Sequence, residues 1–266
     1  MTEPLHPFWT RLPSGRETAQ VAAIALGVGI LTALVFTAWP GLDIAVSRLF
    51  LGADGVFDLT QPLFWRLLRE AFMKGFTLWY VTIAVACVLA LAGRHRLFGF
   101  GPRRWLYLAA CSLAGPLLLV NILLKEHWGR WRPREIVELG GSEPFTSVLH
   151  WGGACDYNCS FVSGEVASMV MAFIALAFVT TAWRPVFYAL TIVMGLVAAL
   201  IRVGQGGHFL SDTLLAGVLM TIVAAALYWA IFLADAGRWL DRHDGLWARL
   251  CDGGLRLLDR LFPRRR

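Results

Sequence analysis

Six apolar runs divide the chain and leave it little choice of solvent. They cover residues 21–39, 76–91, 105–124, 162–183, 186–203 and 213–233. About 20 apolar residues cross the hydrocarbon of a bilayer as a helix. Inside a bilayer each backbone N–H and C=O must be bonded within the protein, so runs of this length and continuity predict helices rather than open strands. The expected fold class is all-α, a polytopic membrane protein built as a bundle of six transmembrane helices over residues 21–234.

Composition agrees. Of 266 residues 58% are hydrophobic and only 16% are charged, too little polar sequence for a second, soluble domain. The net charge of +6 would suit a nucleic-acid partner if it were gathered on a polar surface. Here the arginines flank the apolar runs instead, as on membrane helices, and no nucleic-acid partner is expected. The first run follows a polar stretch with Arg11, Arg16 and Glu17, and no A-x-A-like site follows it, so it reads as a retained span.

The arginines also set the orientation. The 1–20 segment, the link "GRHRLFGFGPRRW", Arg184 and the tail 235–266 all fall on one side of a six-span chain. By the positive-inside rule that side is cytoplasmic. The expected location is a bacterial inner membrane with both termini in the cytoplasm. "PLFWRLLREAFMKGF" and the tail are amphipathic and are expected to lie on membrane surfaces. Of five cysteines, Cys155 and Cys159 fall on the outer side, where a periplasm would favour a short-loop disulfide. A zinc site would need two further ligands, of which His150 is one candidate.

Three clusters bearing chemistry converge on that outer face. In "KEHWGRWRP", Lys125 and Arg132 stand just past the third span. In "FVSGE", Ser163, Gly164 and Glu165 open the fourth. In "RVGQGGHFLSD", Arg202 closes the fifth span, and His208 and Asp212 precede and open the sixth. On a helical segment His208 and Asp212, four apart, would share a face, and the carboxylate would fix the imidazole tautomer. A neutral imidazole so held can attack phosphorus. The alternative is a helix-capping Asp beside a solvated His. Three cations at one depth repel one another unless an oxyanion sits among them, and guanidinium suits phosphate. Headgroup snorkelling explains one of them well and three poorly. A helix start at Ser163 offers free N–H groups to an anion, although serine there can be a plain N-cap.

The pattern K-x6-RP, then SG, then R-x5-H-x3-D resembles the signature of the type 2 phosphatidic acid phosphatases, integral-membrane lipid phosphatases that share their site plan with vanadium haloperoxidases. The resemblance spans residues 125–212. It implies a six-helix bundle and dephosphorylation with no metal or other cofactor, through a phosphohistidine. His208 would be the nucleophile and Asp212 its orienter. Lys125, Arg132, Ser163, Gly164 and Arg202 would bind phosphate. The family usually has P-S-G-H, whose histidine is the acid for the leaving group; here Val162 and Glu165 stand at those places. "LPSGR" at 12–16 looks closer to that motif but lies on the wrong side of the first span.

Three roles stay open for Glu165. It is the acid; or it orients a basic residue or the substrate while His127 or His150 supplies the proton; or the site only binds. The outward site implies a lipid phosphate substrate among membrane lipids, and the sequence calls for no obligatory protein partner. "PGLDIAVSRLF" followed by "GVFDL" looks like the segment before the core in lipid A 4′-phosphatase-type members, which puts lipid A first. Undecaprenyl pyrophosphate and phosphatidylglycerol phosphate are the alternatives, since a phosphate leaving group needs less help from an acid. A non-catalytic lipid transporter or binding protein is the distant one.

Overall fold

The computed structural model describes residues 11–93 and 97–234. The expected amphipathic tail, 235–266, and the first ten residues lie outside that description. Seven helices follow in order: α1 (Gly15–Ala38), α2 (Gly41–Arg48), α3 (Leu63–Gly93), α4 (Pro102–His127), α5 (Gly164–Val179), α6 (Arg184–Gly204) and α7 (Leu210–Leu233). Among the described residues there is no β-strand, only isolated bridges. Five helices are long and apolar enough to span a membrane, and α5 is a shorter apolar sixth. The molecule is a helical membrane bundle.

Its organisation follows from which faces need lipid. α5 packs against α4, α6 and α7, and nearly all of its side chains are buried. At 16 residues it is roughly 24 Å long, short of the hydrocarbon thickness, which a helix walled in by other helices can be. The outer helices turn large apolar side chains outward: Ile24, Leu31 and Leu34 on α1, Leu78 and Val88 on α3, Ile192 and Leu196 on α6. Polar groups inside the bundle bond between helices. Tyr80 donates to Ser168 Oγ at 2.7 Å and Tyr107 to the Ala224 carbonyl at 3.0 Å. α4 carries Pro116 at mid-length. Its missing N–H is absorbed by a widened, π-type hydrogen-bonding pattern over Leu113–Leu124.

One expectation needs correcting. "PLFWRLLREAFMKGF" is not a separate helix lying on the membrane surface. Residues from Leu63 onward are the first turns of α3, which runs unbroken for 31 residues. At roughly 46 Å it outruns the hydrocarbon, so its amphipathic start overhangs the bundle and carries Arg66 and Arg69 past the boundary.

The two ends of the bundle differ. At one, Ser14 caps α1: Glu17 N donates to its hydroxyl and Ser14 N to the Glu17 carboxylate, a capping box. Tyr228, late in α7, donates to the Pro13 carbonyl at 3.0 Å, and Arg103 Nε to that of Ile231 at 2.8 Å. "LPSGR" is thus the start of a helix, and it sits at the end of α7 opposite His208. At the other end, residues 40–62 and 125–163 pack into a cap. Phe57, Ile136, Leu139 and Phe209 form its apolar centre.

Candidate active site

All three sequence clusters meet under that cap. Arg202 ends α6, and the amides of Gly207 and His208 both return to its carbonyl, at 2.9 and 3.3 Å. The chain therefore curls tightly around Arg202. A Cβ on Gly207 would stand 2.3 Å from Arg202 Nη2, so a side chain there would displace the guanidinium. His208 follows at 2% exposure. Its Nδ1 lies 2.6 Å from the Ser160 carbonyl oxygen. A carbonyl only accepts, so Nδ1 carries the hydrogen and the lone pair is left on Nε2. Burial, and after it the charges of Arg202, Lys125 and Arg132, hold the imidazole pKa well below the ordinary histidine value. These surroundings favour the neutral ring, with its lone pair on Nε2.

The imidazole's partner is not the expected one. His208 precedes α7 rather than lying on it, so the four-residue spacing to Asp212 puts the two on no common helical face. Asp212 instead accepts from Ser160 Oγ at 2.5 Å, from Phe209 N at 3.0 Å and from Arg130 Nη1 at 2.5 Å. It caps α7 and fixes the residue whose carbonyl holds His208, one step removed from the ring.

Arg130, which sequence reasoning passed over, anchors this network. It is fully buried and bonds Asp43 Oδ2 at 2.8 Å, Ser211 Oγ at 2.9 Å and the Thr146 carbonyl at 3.0 Å, with Phe209 beneath its guanidinium at 4.2 Å. Asp43 comes from α2, within the "PGLDIAVSRLF" stretch, and also accepts from the amide and hydroxyl of Ser211. The available signal was an arginine set between Trp128 and Trp131, in aromatic company that favours burial.

The phosphate ligands expected from sequence surround His208. Ser163 is the N-cap of α5, with Gly164 and Glu165 in its first turn, where the first amides of a helix have no partner within it. A Cβ on Gly164 would stand 3.2 Å from Lys125 Nζ; glycine lets the ammonium approach the helix end. Arg132 is held by the Asn158 carbonyl at 2.6 Å. Burial, and after it the charge of Arg134, pulls its pKa down from the arginine value. The loop that supplies Asn158 is closed by a Cys155–Cys159 disulfide. Among the buried polar atoms without a hydrogen-bond partner in the described residues, Ser163 Oγ and Arg202 Nε belong to the expected phosphate ligands. Buried donors without partners are costly unless a ligand completes them.

Glu165 is clamped. Both its oxygens accept from Arg69, at 2.8 to 3.2 Å, and Arg202 Nη1 stands 3.4 Å away. Arg69 is the second residue missed. His127 and His150 are exposed; neither lines the cavities at the site. His127 Nδ1 instead lies 2.9 Å from the Leu123 carbonyl.

Two cavities flank Glu165. A groove of about 650 Å³ runs between α3, α4 and α5 along Phe76, Tyr80, Ile83 and Leu117, and its polar end is Lys125, Gly164 and Glu165. A polar chamber of about 610 Å³ is lined by Arg66, Arg69, Arg132, Arg134 and Arg202. Glu165 lines the first, and its partners Arg69 and Arg202 line the second.

Comparison with known proteins points the same way. Residues 104–235 match the PAP2 superfamily. A lipid A 4′-phosphatase of Rhizobium leguminosarum is 37% identical across 73% of this chain and 88% of its own length. One from Rhizobium etli is 34% identical across 73% of this chain and 80% of its own. One from Francisella tularensis subsp. novicida is 33% identical across 46% and 55%. No solved structure matches. With three motifs gathered around one imidazole and relatives this similar, the chain belongs to the PAP2 superfamily, as a membrane lipid phosphatase similar to the lipid A 4′-phosphatases.

Proposed function

We propose that the protein removes the 4′-phosphate of lipid A, or of a closely similar phosphorylated glycolipid, through a phosphohistidine at His208. In the first step Nε2 attacks phosphorus. The P–N bond forms, the P–O bond to the lipid breaks, and the departing alkoxide takes a proton from solvent, which the attacking water of the second step returns. In the second step water attacks phosphorus, the P–N bond breaks, and inorganic phosphate leaves with Nε2 restored. Lys125, Arg132 and Arg202 take up the charge of the equatorial oxygens, with Ser163 and the first amides of α5, so the reaction needs no metal.

The observation that carries this reading is the pairing of unpartnered Ser163 Oγ and Arg202 Nε with an apolar groove opening beside Lys125. An oxyanion bearing an acyl-chain lipid suits both. Glu165 acts as a positioning residue for Arg202 and Arg69: both its oxygens are acceptors to guanidinium, so it has no donor role in this geometry.

The site faces the periplasm of an inner membrane in this reading. Arg103, Arg104 and Arg184 gather at the bundle end away from the site, and the disulfide sits at the site end, as an oxidising compartment favours. The test is phosphate release by purified protein from lipid A, undecaprenyl pyrophosphate and phosphatidylglycerol phosphate, with and without chelator. Fastest release from lipid A, unaffected by chelator and abolished by His208→Ala with loss of an acid-labile phosphoprotein, is expected. Activity lost to chelator and restored by a divalent metal would refute the mechanism.

A further inference from the structure

We propose that the Arg66 and Arg134 side of the arginine-lined chamber, across from the phosphate-binding Arg132 and Arg202, is a second anion subsite, which selects lipids whose headgroup carries another phosphate or carboxylate. The proposal rests on the function just proposed and names a feature of its substrate.

Charge is the first argument. Lys125, Arg132, Arg202 and Arg69 carry four positive charges against one on Glu165, so a phosphomonoester dianion nearly balances them. Arg66 and Arg134 remain, and both line the chamber. Glu70, on the same wall, is spent on Lys74 at 2.8 Å. Glu135 lies 3.8 Å from Arg134 Nε, too far for a hydrogen bond, and receives the Arg132 amide at 2.9 Å. The Arg66 side chain makes no hydrogen bond or close ion pair among the described residues, and Glu70 meets its charge only at longer range. With Glu70 tied to Lys74 and Glu135 no closer than 3.8 Å, the guanidinium groups of Arg66 and Arg134 leave room for an anion in the cavity they share, and planar forks of this kind suit phosphate and carboxylate oxygens.

Placement is the second argument. Arg66 and Arg69, three apart, share a face of α3, on the stretch that overhangs the hydrocarbon where a headgroup would lie. The Arg134 amide donates to the Gly206 carbonyl at 3.2 Å, which ties its backbone to the turn that bears His208. The subsite therefore has a set distance from the nucleophile, on the polar side of Glu165, while the apolar groove takes the acyl chains on the other.

The test reads affinity without turnover, using full-length His208→Ala protein in detergent and three lipids. One is lipid A with the 4′-phosphate alone. One adds a second phosphate on the distal sugar. One instead adds an acidic sugar bearing a carboxylate. About tenfold tighter binding of at least one two-anion lipid is expected, the scale of one charge-assisted contact. The Arg66→Ala/Arg134→Ala pair should cut that advantage to within twofold, and the Arg66→Lys/Arg134→Lys pair should keep part of it. The arm that shows the advantage identifies the second group as phosphate or carboxylate. Equal binding of all three lipids, or an advantage that survives the double alanine variant, overturns the subsite. Wild-type phosphate release from the same lipids is followed in parallel. Release from none refutes the proposed function, while the affinity ratio still decides the subsite.

Discussion

Removing Arg130 tests how the nucleophile is held. Its guanidinium is fully buried and is the shared counter-charge of Asp43, at 2.8 Å, and Asp212, at 2.5 Å. Arg130→Met keeps much of the side-chain volume and leaves two buried carboxylates without a counter-charge, Asp43 bonded to Ser211 and Asp212 to Ser160 and the Phe209 amide. Breaking a buried ion pair by deleting one partner costs about 3–5 kcal/mol, because the remaining charge stays desolvated. For a chain of this size that is a fall in melting temperature on the order of 10 °C. The triple variant Arg130→Met/Asp43→Asn/Asp212→Asn removes every charge together and should recover most of that loss, since neutral packing is often as stable as a buried ionic network.

Activity should respond differently. Arg130 holds Asp212, Asp212 holds Ser160, and the Ser160 carbonyl holds His208 Nδ1 at 2.6 Å. A misplacement of about 1 Å can cost about 100-fold in rate. Arg130→Met should therefore lower kcat about 100-fold with KM within about threefold, because Arg130 makes no hydrogen bond to Lys125, Arg132, Ser163 or Arg202. The triple variant should stay slow despite its recovered stability. Thermal unfolding in detergent and steady-state phosphate release measure the two. A melting point within about 2 °C of wild type, or a loss confined to KM, would refute the chain of positioning.

Other consequences follow from single contacts. Glu165→Gln should slow good and poor leaving groups by the same factor in a phosphate-release panel, whereas selective loss on poor leaving groups would make Glu165 the acid. Gly164→Ala puts a methyl 3.2 Å from Lys125 Nζ and 3.1 Å from Asn121 Oδ1, and should raise KM about tenfold without changing the melting point. The depressed His208 pKa means that kcat/KM should show no acid limb near pH 6.5; a titration centred there would place a solvated imidazole at the site. The same group stays neutral when folded but takes a proton when unfolded, so its contribution to stability is present above pH ~6.5 and lost as pH falls below it. Cys155→Ser/Cys159→Ser should cost about 2 kcal/mol of stability, as expected for so short a loop, and weaken substrate binding through Arg132.

The parts that were legible from sequence share a physical reason. Lys125, Arg132, Ser163, Gly164, Arg202 and His208 all lie within a few residues of a helix end, and apolar runs place helix ends at known depths. Membrane geometry thus does much of the work of a contact map. Glu165 and Asp212 were recognised as members of the site, but their partners were not. Arg69 is 96 residues from Glu165 and Asp43 is 87 from Arg130. Both sit in amphipathic stretches whose polar positions look like a solvated face, and no local spacing links them across the bundle. The reading of "PLFWRLLREAFMKGF" as a surface helix failed for the same reason. An overhanging transmembrane helix and an interfacial one have the same periodicity, and only continuity with residue 76 onward tells them apart.

Glu165 shows why this matters for chemistry. Judged from its own motif, a carboxyl group in place of an imidazole suggests an altered acid. Judged with Arg69, it is half of an ion pair with a cation supplied by α3, and it also stands 3.4 Å from Arg202. Arg69→Ala would leave Glu165 with Arg202 alone at 3.4 Å and pull that guanidinium from the oxyanion site. If Glu165 is a positioning residue, Arg69→Ala and Glu165→Gln should each raise KM for phosphate esters, and together cost no more than the larger of the two. Additive losses would mean that the two residues act on the substrate separately.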